Sequence, residues 1–241
     1  MVYPDFSFER KAFKRGYQWV IGVDEVGRGA FAGPLVVAAV VLPLNFKCVN
    51  TLLRINDSKL LSANNRVLLS AEIKKKAIAW DISEVGVGVI NKIGIARATM
   101  KGMRKTVKDL AEKIGEGVAL SCHSGEDRNL YRFRIRSGMT KTFVLVDYYS
   151  IPYLPNVGKN NQLGIKKGDQ RSMSIAAASI IAKVHRDRLM DRLAKNGRYK
   201  KYGWERNKGY GTLEHRRAII KYGLTKYHRK DFVRNTGKYL T

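Results

Sequence analysis

Residues 19–42 read WVIGVDEVGRGAFAGPLVVAAVVL, and this stretch decides the fold class. Trp19 to Val23 is an apolar run broken only by Gly22, and it stops at two adjacent acids, Asp24 and Glu25. A short continuous run of this kind predicts a buried strand. The turn Gly27-Arg28-Gly29 follows, and Gly33-Pro34 opens a second predicted strand, Leu35 to Leu42, rich in Val and Ala.

Further along, Ala63 to Lys76 reads as a helix with Ser62 placed to cap it. A third strand fits Ala77 to Val89, where Ile78, Trp80, Ile82, Val85, Val87 and Val89 alternate with other residues. Residues Asn91 to Ile114 place Ile95, Met100, Met103, Val107, Leu110 and Ile114 at helical spacing. The segment Gly115 to Thr140 is rich in Gly, Ser and charge, and a hairpin around Leu130 to Ile135 is the one element it suggests. Thr142 to Asp147 is another strand ending in a carboxylate, and Gln162 to Lys166 reads as a short one. A helix over Ser172 to Ala194 carries Ala176, Ala177 and Ser179 on one face, small enough to lie close to a sheet. Leu213 to Tyr222 and Tyr227 to Leu240 read as a helical appendage. Strands and helices in this order predict a layered α/β domain. The expected organisation is a body over residues 1–196, with residues 1–18 as a polar arm, and a C-terminal extension over residues 197–241.

The acids sit where chemistry would want them. Asp24 and Glu25 close one strand, Asp147 closes another, and Asp169 precedes a helix. Strand ends and helix starts are where distant parts of a chain converge. Clustered carboxylates repel, and a divalent cation relieves the repulsion. Two such ions about 4 Å apart can hold the attacking and leaving oxygens of a displacement at phosphorus. Neighbours in a regular strand face opposite sides, so Asp24 and Glu25 are expected to share a site only if the backbone turns there. The plainer alternative makes Asp24 and Glu25 turn acids and Asp169 a helix-start acid, and spacing alone does not choose between the two.

Charge points the same way. The 241 residues hold 46 Lys and Arg against 20 Asp and Glu, a formal net charge of +26. Such an excess repels itself, and a polyanionic partner such as nucleic acid is its natural reason. Hydrophobic residues at 44% supply a real core and exclude a disordered basic tail. Cys48 and Cys122 form no CxxC, so neither a disulfide framework nor a zinc site is expected. The longest apolar run, Pro34 to Leu44, is too short to span a bilayer, and Met1 to Gln18 shows no secretory pattern. A cytoplasmic monomer with no membrane partner is the expectation.

The segment from Gly22 to Gly29, followed by Ala32-Gly33-Pro34, resembles the opening signature of the type 2 ribonucleases H. Three further blocks resemble that family in order. They are Asp57-Ser58-Lys59, the helix from Gly168-Asp169 and Ser172 through Lys183 to Arg186-Asp187, and Asn207 to Thr212 with His215, His228-Arg229 and Phe232. The resemblance spans residues 22–232. It implies a ribonuclease H-like mixed five-stranded sheet flanked by helices, with a small helical extension. It also implies an endonuclease that cuts the RNA strand of RNA–DNA hybrids and cuts on the 5′ side of ribonucleotides embedded in duplex DNA, using Mg²⁺ or Mn²⁺. By position, Asp24, Glu25, Asp147 and Asp169 match the metal-binding acids. Gly27, Arg28 and Gly29 match a backbone loop that senses the ribose 2′-hydroxyl, the group that separates RNA from DNA. Tyr210 matches a tyrosine that packs on the deoxyribose. Lys59, Ser172 and Lys183 become phosphate or backbone contacts, though Ser172 is equally well placed as a helix cap. His215, His228 and Arg186-Asp187 read as structural.

Three features depart from the pattern, the mildest being Val26 where Ala is common. Tyr148-Tyr149 stands after Asp147 where a small residue is usual, and the stretch Gly115 to Thr140 is long. A type 3 ribonuclease H would have Thr at the position of Arg28 and a longer segment before Trp19. Two competing readings are a basic RNA-binding, ribosome-associated protein without catalysis, and a junction resolvase of the same broad fold.

Overall fold

The computed structural model describes residues 3–47, 61–115, 141–154, 157 and 159–234. Its centre is a five-stranded sheet with strands β1 Trp19–Val26, β2 Leu35–Val41, β3 Ala79–Val85, β4 Thr142–Asp147 and β5 Gln162–Ile165. The spatial order is β3-β2-β1-β4-β5. β1, β2 and β3 pair antiparallel, whereas β4 runs parallel to β1 and β5 parallel to β4. This is the mixed sheet that the family resemblance implies.

The helices are α1 Ser7–Lys14, α2 Ala63–Lys76, α3 Val87–Ile93, α4 Ile95–Gly115, α5 Met173–Lys195, α6 Trp204–Asn207, α7 Leu213–Tyr222 and α8 Lys230–Val233. Side chains alternate across the sheet as a pleat requires. Ile21, Val23, Val37, Val144 and Val146 pack on the face covered by α4. Val36, Ala38 and Val40 pack on the opposite face against Ala177, Ile180 and Ile181 of α5. β2 is buried along its whole length, which explains why its sequence shows no polar alternation.

α5 lies very close to the sheet. A Cβ added at Gly22 would stand 2.5 Å from the Ile175 amide nitrogen. The run of Ala and Ser on α5 and the glycine on β1 together remove the side chains that would hold the layers apart. Beyond α5, Trp204, Tyr199, Tyr202, Ile219 and Val233 form a hydrophobic cluster that closes over Ala32, Met190 and Ala194.

Several boundaries differ from the sequence reading. The polar arm holds α1, because buried Glu9 ties it to the start of α5 through the Ser172 and Ser174 hydroxyls, the former at 2.7 Å. β2 stops at Val41 and β5 at Ile165. β3 stops at Val85, and Val87 and Val89 belong to α3 because the Gly86 carbonyl accepts from the amides of Val89 and Ile90 and starts a helical turn. The long helix begins at Ile95, after Gly94 turns the chain at φ 77°. The appendage keeps α7 as read but holds only α8 within 227–234. The hairpin read at Leu130 to Ile135 and the tail from 235 onward lie outside the described residues.

Gly22→Ala tests the close contact between sheet and helix. The three atoms that the added methyl group meets, the Ser174 carbonyl carbon and oxygen and the Ile175 amide nitrogen, are all backbone, so the layers must separate, and overpacking of this kind costs about 2–3 kcal/mol. Urea unfolding of the variant should show that loss.

Candidate active site

The parallel pairing of β1 with β4 sets the site. Val23 pairs with Val146, so one residue later Asp24 and Asp147 stand side by side at the strand ends. Asp147 Oδ1 accepts the Gly168 amide at 2.7 Å, which draws the 3₁₀ turn Gly168–Gln170 and its buried Asp169 to the same place. Asp24 Oδ1 accepts the Glu25 amide at 2.7 Å. The four carboxylates line one cavity of about 530 Å³ together with Val26, Gly27, Arg28, Gly29, Ser179, Lys183 and Tyr210.

The backbone does not turn at Asp24 and Glu25, the condition set for their sharing a site. β1 stays regular to Val26, which pairs with Val36, so the two acids leave the strand on opposite faces. They line the same cavity because the ladder to β4 ends at Val23, leaving the strand end open on that edge.

Asp24 is only 5% exposed. Burial raises its pKa well above the ordinary carboxylate value, the charges of Glu25 and Asp147 add to the rise, and a hydrogen bond from Ser179 partly opposes it. Among the described residues no three His, Cys, Asp or Glu side chains converge tightly enough to hold an ion as they stand. The donor set is nonetheless carboxylate only, in one cavity, with a repulsion that a cation would lift. It fits hard divalent ions that take one or two carboxylates each and complete their shell with water and phosphate oxygens.

The glycine loop is fixed from behind by two buried arginines. Arg229 donates to the carbonyls of Gly27 (2.7 Å), Arg28 (3.0 Å) and Gly33 (2.9 and 3.1 Å). Arg186 donates to the carbonyls of Ala32, Pro34 and Lys208. A Cβ at Gly27, where φ is 90°, would come 2.6 Å from Arg186 Cδ, so only glycine passes there. A Cβ at Gly29 meets nothing within 4 Å. Arg28 reaches Glu25 at 3.7 Å and lies over the Tyr149 ring at 5.0 Å. Burial, then the neighbouring Arg186 charge, lowers the Arg229 guanidinium to about 9.

Lys183 is held beside the cavity by Asp187 at 2.8 Å, and Tyr210 lies against both Lys183 and Arg186. The Tyr210 carbonyl accepts from His215 Nδ1 at 2.9 Å. Trp204 Nε1 donates to His215 Nε2, His228 Nε2 lies 3.2 Å from that same nitrogen, and the Thr225 amide donates to His228 Nδ1. Both histidines are therefore hydrogen-bonded and buried, and neither lines the cavity. Ser172 does not line the cavity. It is fully buried, its Oγ caps α5 at the Ile175 amide, and it donates to Glu9. Lys59 lies outside the described residues.

Sequence reasoning missed Ser179, Tyr149 and the loop-holding role of Arg186 and Arg229. One signal was available for Arg186: it stands seven residues after Ser179 and so shares the inner face of α5.

A family model described as Ribonuclease HII matches residues 21–237. A ribonuclease HII of Thermosynechococcus vestitus is 43% identical over 228 residues, covering 95% of this chain and 90% of the relative. Ribonuclease H2 of Pyrococcus horikoshii OT3 superposes with a TM-score of 0.65 at 20% identity, over 92% of this chain and 98% of that one. Bst ribonuclease HIII, solved in complex with Mn²⁺, superposes with a TM-score of 0.65 at 18% identity, over 94% and 71%. These two structural likenesses establish the fold alone.

The histidine network predicts a pH dependence. Burial, with the adjacent His215, lowers His228 from 6.5 to about 4. A histidine held neutral when folded takes up a proton on unfolding, so its contribution is complete above pH 6.5 and is lost as pH falls toward about 4. Melting curves across that window should fall more steeply for the wild type than for His228→Asn.

Proposed function

Because the chain belongs to the ribonuclease HII family, we propose that this cavity is its hydrolytic centre, cutting the RNA strand of RNA–DNA hybrids and cutting on the 5′ side of ribonucleotides embedded in duplex DNA. The observation that carries the reading is a buried Asp24 among three further carboxylates, beside a loop whose carbonyls are bonded inward. A passive RNA-binding protein has no use for such an arrangement of like charges.

Asp24, Glu25, Asp147 and Asp169 would hold Mg²⁺ or Mn²⁺, which supplies Lewis-acid charge at the scissile phosphate. The chain itself does the rest. Ser179 and the Glu25 amide fix the Asp24 carboxylate, and the Gly168 amide fixes that of Asp147. Arg229 bonds the loop carbonyls and Arg186 packs behind Gly27, so the opposite edge of Gly27-Arg28-Gly29 meets the sugar, with open space at Gly29 for a 2′-hydroxyl. Lys183 and Arg28 supply positive charge to the flanking phosphates, and Tyr210 offers its ring to the sugar beyond the junction. Water adds to phosphorus as the 3′-oxygen leaves and is protonated, giving 3′-hydroxyl and 5′-phosphate ends. We assign this action to a monomer in the cytoplasm; among the described residues no helix is long and apolar enough to cross a membrane.

A labelled duplex with one ribonucleotide, run beside an all-DNA control, tests the reading. Only the first should be cut, and only with divalent metal; equal cutting of both would remove the assignment. Asp24→Asn should slow cleavage by at least about a hundredfold, since losing even an outer partner of a metal ligand costs 10–100-fold. Gly29→Ala should melt like the wild type yet cut poorly, because its methyl group enters open space that the substrate needs.

A further inference from the structure

Directly after Asp147 the chain makes a tight turn whose first side chain, Tyr148, has no part in the chemistry above. Tyr148 sits at φ 69°, a left-handed conformation that an L residue enters only at a cost. Its side chain is nevertheless 55% exposed, so core packing does not explain it. The ring meets Tyr149 edge-on, with centroids 4.7 Å apart.

The turn is firmly seated. The Tyr148 amide donates to the Ile165 carbonyl at 2.9 Å, and the Tyr149 amide donates to the Asp147 carbonyl at 2.9 Å. Beneath it lies Gly164, where a Cβ would stand 2.9 Å from the Tyr148 carbonyl oxygen. The turn is continuous with the cavity wall, because Tyr149 carries the guanidinium of Arg28 over its ring. The exposed Lys166 and Lys167 follow Ile165 and place positive charge beside it.

We propose that the Tyr148 ring, backed by Tyr149, is a second nucleic-acid-binding surface at the mouth of the cavity, packing on a sugar of the bound duplex. The occupant is the nucleic acid of the cavity itself. Three features select it: continuity with the wall through Asp147 and Arg28, the lysines beside the turn, and the net charge of +26. Every nucleotide of a duplex presents the apolar edge of its sugar, so the contact is indifferent to sequence. The inference rests on the ribonuclease reading above.

Tyr148→Gly separates binding from folding, because glycine adopts positive φ without strain. The variant should melt at or above the wild-type temperature. Its Kd for a fluorescein-labelled duplex with one ribonucleotide, measured by anisotropy without divalent metal, should rise about tenfold, while Tyr148→Phe stays within about twofold of wild type. A Tyr148→Gly Kd within about twofold of wild type, or a Tyr148→Phe loss as large as that of Tyr148→Gly, overturns the shelf. Cleavage by the wild type is read separately: if it fails, the functional assignment falls, while the Kd comparison still judges the shelf.

Discussion

Mutual repulsion among four carboxylates is the constraint around which this molecule is built. Two carboxylates a few ångströms apart and partly out of water cannot both carry charge cheaply. The sheet nonetheless places Asp24 and Asp147 on neighbouring parallel strands, and the Asp147 hydrogen bond to Gly168 brings Asp169 alongside. Packing must offset that electrostatic cost. The near-contact of Gly22 with the α5 backbone and the Ala-rich face of that helix supply a rigid seat for it.

A second constraint acts on the glycine loop. Carbonyl groups withdrawn from water need donors, and two buried guanidiniums, from α5 and from the residue before α8, provide them. The C-terminal helices are thus more than an appendage. Arg229 reaches back from that extension to the residues beside the acids, and His215 holds the carbonyl of Tyr210 in the same region. Tyr210 and the geometry of the loop are linked through one hydrogen-bonded and aromatic cluster.

Much of this was legible in the sequence. Apolar runs ending in acids located β1 and β4, and small residues on α5 announced its closeness to the sheet. Serines placed the starts of α2 and α5. Most of what escaped depended on partners distant in sequence, and the end of β3 on one local turn. Val87 and Val89 continue the alternation of β3, and only the Gly86 turn makes them helical. α1 is a helix because Glu9 bonds to residues more than 160 positions away. Read from sequence, Asp24 and Glu25 share a site only if the backbone turns there, whereas the early end of the β4 ladder lets a straight strand present both. The loop-holding role of Arg229 needs carbonyls some 200 residues upstream, which no local pattern reveals.

Calorimetric melting at neutral pH across a series of Mn²⁺ concentrations tests the central claim most directly, with wild type and Asp24→Asn compared. If the acids form one cation site under electrostatic tension, metal-free Asp24→Asn melts above metal-free wild type, and Mn²⁺ raises the wild type far more than the variant. A wild type indifferent to Mn²⁺, with a variant that melts below it, would contradict the account.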